Sequence, residues 1–152
     1  FTAASSFRQD LQDLQNFLDA ILFNYLIGNC DAHAKNYSLL YNKGHTALTA
    51  KPAILMAPLY DLVSTNYYED HTTKMAMKIG DQYHSNLVTT KDFEKMAEEC
   101  GLSKPLVKKR VVEMAQKIIT ALEKRIVEHP IADKVSQVIK SRCLETIESF
   151  HA

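Results

Sequence analysis

An apolar helical stripe that ends abruptly against a polar loop limits the architectures open to this chain. From Phe7 to Leu26 the apolar residues Phe7, Leu11, Leu14, Phe17, Leu18, Ile21, Leu22, Tyr25 and Leu26 recur at steps of three and four, with Ser5 or Ser6 placed to cap the start. Toward its end, from Ile21 to Ile27, the segment is apolar on most sides, as a helix buried in a core must be. Gly28 and Asn29 stop it, and residues 28–37 follow as a polar loop. A polar loop held on a buried helix is a rigidly supported loop, which is where chemistry is commonly placed.

Downstream, Tyr37 to Tyr41 predicts a short strand, Asn42-Lys43-Gly44 a turn, and Ala53 to Met56 a second strand. Pro58 and Asp61 fall in the next loop. The alternation of Lys74 to Ile79 predicts a third strand or extended edge, followed by a polar link from Gly80 to Asn86. The remainder reads as helical. Thr89 or Thr90 caps a helix that ends at Cys100-Gly101, and Ser103 with Pro105 opens a long helix to about Glu128. That helix carries a stripe of Leu106, Val107, Val111, Met114, Ile118, Leu122 and Ile126. His129-Pro130 breaks it, and a last helix carries Val135, Val138, Ile139, Leu144, Ile147 and Phe150. The expected fold is a single domain over residues 1–152, mainly α with a small β-hairpin element.

At 152 residues, 46% of them hydrophobic and 24% charged, the chain suits one globular domain with its own core. Lys and Arg together number 18, as do Asp and Glu, so no net charge draws it to nucleic acid or an acidic membrane. The basic run on the long helix, Lys104, Lys108, Lys109, Arg110, Lys117, Lys124 and Arg125, reads as a solvated face balanced by acids such as Glu113 and Glu123. Cys30, Cys100 and Cys143 lack metal or disulfide spacing, so free thiols in a reducing cytoplasm are expected. His45, His71 and His84 are spaced unlike zinc ligands. No apolar run is long enough to span a bilayer, no signal peptide is evident, and the start at Phe1 suggests a piece of a longer protein.

The chemistry concentrates in Gly28-Asn29-Cys30-Asp31-Ala32-His33-Ala34-Lys35-Asn36. Asp31 and Asn36 are five residues apart, the spacing with which kinase catalytic loops place a base for the substrate hydroxyl and an amide oxygen for magnesium. The acid must be anionic and aimed at the nucleophile. The amide offers magnesium a hard oxygen without adding charge beside the phosphates. Such a site needs a second carboxylate, and Asp61 in Pro58-Leu59-Tyr60-Asp61-Leu62-Val63-Ser64 supplies it. The reading requires the intervening hairpin to fold back so that Asn36 and Asp61 meet.

The run from Asn24 to Ser38 resembles the catalytic-loop signature of the HipA-like serine/threonine kinases. Leu55 to Ser64 resembles that family's metal-binding segment, and Lys74-Met75-Ala76-Met77 a stretch just beyond it. The resemblance implies the C-terminal lobe of a protein-kinase-like fold, dependent on ATP and magnesium. It implies a bacterial toxin kinase paired with a DNA-binding antitoxin, acting on Ser or Thr of a protein such as an aminoacyl-tRNA synthetase. Asp31 would then be the base, Asn36 and Asp61 the metal and nucleotide-phosphate ligands, and His33 and Lys35 would support the loop or approach the phosphates.

The family's nucleotide-gripping N-terminal lobe has no counterpart here. Gly28, Gly44, Gly80 and Gly101 are too scattered to build a phosphate loop, so the isolated chain is expected to be inactive. Plainer readings stand beside each residue. Asp31, Asn36 and Asp61 are all turn formers. His33 fits a loop-fixing hydrogen bond, Lys35 a solvated charge, Cys30 a small buried residue, and Tyr67 with Tyr68 a packing role. A small-molecule phosphotransferase shares the Asp-Asn spacing, and a non-catalytic partner-binding module is the alternative outside the enzymes.

Overall fold

The computed structural model describes residues 11–42, 53–68, 70, 72–125 and 129–151. Four helices, α1 (Leu11–Leu26), α2 (Thr90–Glu99), α3 (Lys104–Glu123) and α4 (Pro130–His151), pack with two small sheets, each of two antiparallel strands. The first sheet joins β1 (Leu39–Asn42) to β2 (Ala53–Met56), with Leu39 opposite Met56 and Asn42 opposite Ala53. The second joins β3 (Lys74–Ile79) to β4 (Gln82–His84). The expected start of the first helix, its serine cap, the turn at Lys43-Gly44, and the histidines at 45 and 71 lie outside the described residues.

The core forms where the helical stripes meet. Leu22 and Leu26 of α1, Phe93 of α2, Val107 and Val111 of α3, and Cys143 of α4 are essentially inaccessible. Each large apolar side chain buried in this way stabilises the fold by about 1.5–3 kcal/mol. Phe93 stands edge-on to both Tyr25, at 5.2 Å between ring centroids, and Phe150, at 5.4 Å. Burial pushes the Cys143 thiol up to about 11, so it stays neutral and acts as a small apolar filler. All three cysteines are free.

Arg142 reaches across from α4 to the end of α1. Its guanidinium lies 4.3 Å from the Tyr25 ring centre and donates to the carbonyls of Tyr25 (2.7 Å) and Ser85 (3.1 Å). A cation there satisfies a last-turn carbonyl and complements the negative end of the helix dipole. Arg110 clamps Asp19 of α1 with two bonds of 2.5 and 2.6 Å, a bidentate pair that fixes α3 against α1. The remaining basic run is a solvated face: Lys104, Lys108 and Lys109 pair with Glu98, Glu94 and Glu113.

The α2 boundaries follow local chemistry. The Asp92 carboxylate accepts from the Thr89 amide (2.8 Å) and hydroxyl (2.7 Å), closing the N-terminus. At the other end Leu102 N donates to the Ala97 carbonyl and Gly101 N to that of Glu98, with Gly101 at φ +66°. Three expectations need correction. The Gly80–Asn86 link contains a strand, because Gly80-Asp81 is a two-residue turn that returns the chain along β3. α3 ends at Glu123 rather than near Glu128: Lys124 makes the last helical bond, to the Thr120 carbonyl, and the Arg125 amide bonds the Leu122 carbonyl instead of the next helical partner. Leu106 and Leu144 are exposed, and Ala115 and Cys143 occupy the buried positions instead.

Gly80 locks the second hairpin onto α2. It adopts φ +57°, and a Cβ there would lie 2.5 Å from the Asp92 carbonyl oxygen. Gly101 has a similar φ of +66°, but open space surrounds its missing Cβ. Gly101→Ala therefore costs only the left-handed conformation, about 1–2 kcal/mol. Gly80→Ala adds a backbone overlap and is expected to cost clearly more in urea denaturation. Equal losses for the two variants would contradict the close packing of hairpin on helix.

Candidate functional site

The site is built on the C-terminus of α1. Gly28 adopts φ +72°, Asn29 N donates to the Asn24 carbonyl (2.9 Å) and Gly28 N to that of Tyr25 (3.1 Å). This is the glycine-closed helix end in which the chain leaves sharply with its last carbonyls satisfied. Gly28 also admits a second segment. Its carbonyl accepts from Asn66 N (3.2 Å) and from the Thr65 hydroxyl (2.9 Å), and a Cβ at Gly28 would sit 3.0 Å from the Asn66 side chain.

Two loops are thereby tied together along their length. At one end the Thr65 hydroxyl accepts from Cys30 N (2.9 Å). At the other, the Ala57 amide donates to the Ser38 carbonyl (2.8 Å), and the Tyr60 hydroxyl donates to the Lys35 carbonyl (2.6 Å) while lying 2.8 Å from the Ser38 hydroxyl. β3 holds the first loop from a third side, through Ala76 N to the Cys30 carbonyl (2.8 Å).

Between these ties the predicted residues meet. The Asn36 amide donates to the Asp61 carboxylate at 2.6 Å, across 25 residues of chain. Asn36 is buried, sits in the 3-10 turn Ala34–Asn36, and its side-chain oxygen accepts from His33 N (3.2 Å). Asp61 is the one non-glycine residue among those described with positive φ, at +58°. That conformation costs an L-residue about 1–2 kcal/mol, which Asp tolerates better than most. Asp31 is exposed on the same loop, and its carboxylate makes no hydrogen bond or ion pair among the described residues.

His33 and Lys35 flank this arrangement without joining it. Lys35 contributes its carbonyl to the Tyr60 tie and leaves its side chain exposed. Among the described residues, the buried Nδ1 atom of His33 and hydroxyl oxygen of Ser64 have no hydrogen-bond partner. Orphaned buried polar atoms are rare in folded proteins, and two of them flank this pair of loops. Tyr67 and Tyr68 stack edge-on at 5.2 Å, as a packing role requires. Cys30 is buried, its sulfur 3.5 Å from the Ser85 hydroxyl and 3.2 Å from the Asn66 side-chain oxygen.

The donor set suits a hard cation. It offers the Asp61 oxygen not engaged by Asn36, the second lone pair of the Asn36 oxygen, and the nearby Asp31 loop. No three His, Cys, Asp or Glu side chains gather into a metal cage among the described residues. An ion held here would draw most of its ligands from water or a bound phosphate, which is how magnesium is usually bound.

Sequence reasoning gave no role to Asn24, Asn29, Tyr60 or Thr65, which build the site from beneath. Their signal was weak. Asn, Tyr and Thr near a loop read equally well as turn or surface residues, although two asparagines so close to an apolar helix end must find partners once buried.

The model of the HipA-like C-terminal domain family matches residues 1–125. The chain belongs to that family. It is 37% identical over 110 residues to Y4mE of Sinorhizobium fredii, covering 72% of this chain and 24% of that protein. It is 31% identical over 134 residues to the serine/threonine-protein kinase toxin HipA of Shewanella oneidensis, covering 88% of this chain and 29% of the toxin. The solved complex of Shewanella oneidensis HipA with HipB and operator DNA contains a chain that superposes with a TM-score of 0.80 at 26% identity. That match covers 97% of this chain and 35% of the other. The chain thus spans about a quarter to a third of the length of the HipA-type proteins it matches. The mainly helical fold with its small antiparallel sheets is that of the matching part of HipA.

The left-handed backbone at Asp61 supplies a test of the site's geometry. Asp61→Ala and Asp61→Gly both remove the bond to Asn36, but only glycine relaxes the backbone. The glycine variant should be more stable than the alanine variant by about 1 kcal/mol in urea denaturation. The reverse order would mean that residue 61 does not hold this conformation.

Proposed function

We propose that this chain is the base- and metal-bearing C-terminal lobe of a kinase-like serine/threonine phosphotransferase of the HipA type. The observation that carries the reading is the 2.6 Å contact between Asn36 and Asp61, with Asp31, which has no side-chain partner among the described residues, exposed on the same loop as Asn36. Family membership and the kinase toxin among the relatives support it.

In this reading Asp31 accepts the proton of a protein Ser or Thr hydroxyl as that oxygen bonds to the γ-phosphorus of ATP and the bond to the ADP oxygen breaks. Asn36 and Asp61 would hold magnesium, which when bound neutralises charge on the phosphates. The ties that hold both loops keep these ligands in place before substrate arrives, so little reorganisation would accompany transfer. In this reading Lys35, exposed beside Asn36, would meet phosphate, and His33, whose backbone amide bonds the Asn36 side chain, would brace the turn that carries it.

The rest of a nucleotide cradle has to come from an N-terminal lobe, the fold's second half. A DNA-binding antitoxin is the partner that the HipA–HipB–DNA complex suggests, and a translation enzyme is the acceptor that the family resemblance suggests. Among the described residues no helix is long and apolar enough to cross a membrane, in keeping with a cytoplasmic role. The neutral net charge argues that DNA would be contacted by the antitoxin rather than by this chain.

Two assays test the reading. With labelled ATP, the isolated chain should show no turnover, and robust transfer by it would contradict the need for a second lobe. In a HipA-length protein carrying this chain, Asp31→Asn should lower transfer at least 10²-fold while leaving nucleotide affinity nearly unchanged. Transfer that survives the change would remove Asp31 as the base. Phosphate recovered on a small molecule, with none on protein, would replace the protein acceptor by a metabolite.

A further inference from the structure

Between the end of α1 and the two loops lies a buried amide, Asn29, that hydrogen-bonds to the backbones of Asp31 and Asp61 and to α1. Asn29 Oδ1 accepts from the Asp31 backbone amide (3.2 Å), and Nδ2 donates both to the Asp61 carbonyl (3.0 Å) and to the Asn24 side-chain oxygen (2.8 Å). Asn24 in turn donates to the Ala20 carbonyl (2.9 Å) inside α1. Asn24 and Asn29 are both buried. A continuous polar chain therefore runs from the helix through two asparagines to the backbones of both carboxylate residues.

We infer that Asn29 is a positioning residue that sets the base and the metal-holding acid relative to each other. The inference rests on the roles proposed above for Asp31, Asn36 and Asp61. Its physical content is specific. One side chain fixes residues 30 apart in sequence, Asp31 through its amide and Asp61 through its carbonyl. The tie to the Asp61 carbonyl also holds that residue's left-handed backbone, which aims its carboxylate at Asn36. Only an amide supplies an acceptor for one loop, a donor for the other and a second donor for the asparagine of α1 in a single planar group. Asn29→Asp has the same shape but turns both donors into acceptors facing the carbonyl of Asp61 and the oxygen of Asn24, in a buried place that disfavours charge.

Amide NMR on the labelled chain tests the coupling directly, and manganese binding followed by the free-ion electron spin resonance signal tests its consequence. Val111→Ala, a buried change in α3 remote from the loops, serves as a control that loses stability without touching the tie. Asn29→Ala should speed exchange of the Asp31 amide at least tenfold, shift the Asp61 resonance, and weaken manganese binding at least tenfold. Asn29→Asp should behave alike despite its matching shape. Val111→Ala should lower the melting temperature yet leave the Asp31 amide and manganese affinity unchanged. Unchanged Asp31 and Asp61 amides in Asn29→Ala, or equal weakening of manganese binding by Val111→Ala, would overturn the positioning role. If the unsubstituted chain binds no manganese while the amide changes appear, the coupling stands and the metal assignment falls.

Discussion

Two loops far apart in sequence share one short contact, the Asn36 amide on the Asp61 carboxylate at 2.6 Å. Most of the structure around it serves to make that contact possible. Asp61 takes a backbone conformation that costs an L-residue about 1–2 kcal/mol. Such a geometry persists only where its surroundings over-determine it. Here they do: Thr65 and Asn66 dock on Gly28, Tyr60 bonds the Lys35 carbonyl, and Asn29 bonds the Asp61 carbonyl. Strain of this kind, concentrated at a polar loop rather than spread through the core, is the signature of a functional site.

The helical bundle supplies the rigidity that these ties need. α1 is clamped to α3 by Arg110 and Asp19, and to α4 by Arg142 on the Tyr25 carbonyl and ring. Phe93 fills the space between Tyr25 and Phe150. The end of α1 thus sits at a fixed point, and the loop leaving Gly28 starts from a fixed direction. Tyr37 is held under the same helix by the edge of Phe17 and by Asn24, so the loop is anchored where it returns as well. A loop strung between two such anchors has little freedom to lose on binding, as the proposed pre-organised chemistry requires.

Much of this was legible in residue order. The stop at Gly28, the capped start of α2, the Cys100-Gly101 end and the Pro105 start of α3 are local chemistry, and local chemistry reads well from sequence. The meeting of Asn36 with Asp61 was expected from their residue types and loop positions, which the proposed phosphoryl transfer would require. What could not be read depends on burial. β4 is three residues of largely exposed polar character, so only its pairing with β3 makes it a strand. The end of α3 at Glu123 has no glycine or proline beside it to announce it. Asn24, Asn29 and Thr65 look like surface residues until the loops close over them. The positive φ of Asp61 had no glycine to announce it.

The proposal that the two loops converge on a cation site is tested most directly by paramagnetic broadening. Manganese would be titrated into the isotopically labelled chain while amide signals are followed. The structure predicts that Asn36 and Asp61, with their immediate neighbours in both loops, broaden together and ahead of all other residues. Broadening confined to one loop, or appearing first at the acidic side chains of the bundle surface, would contradict it.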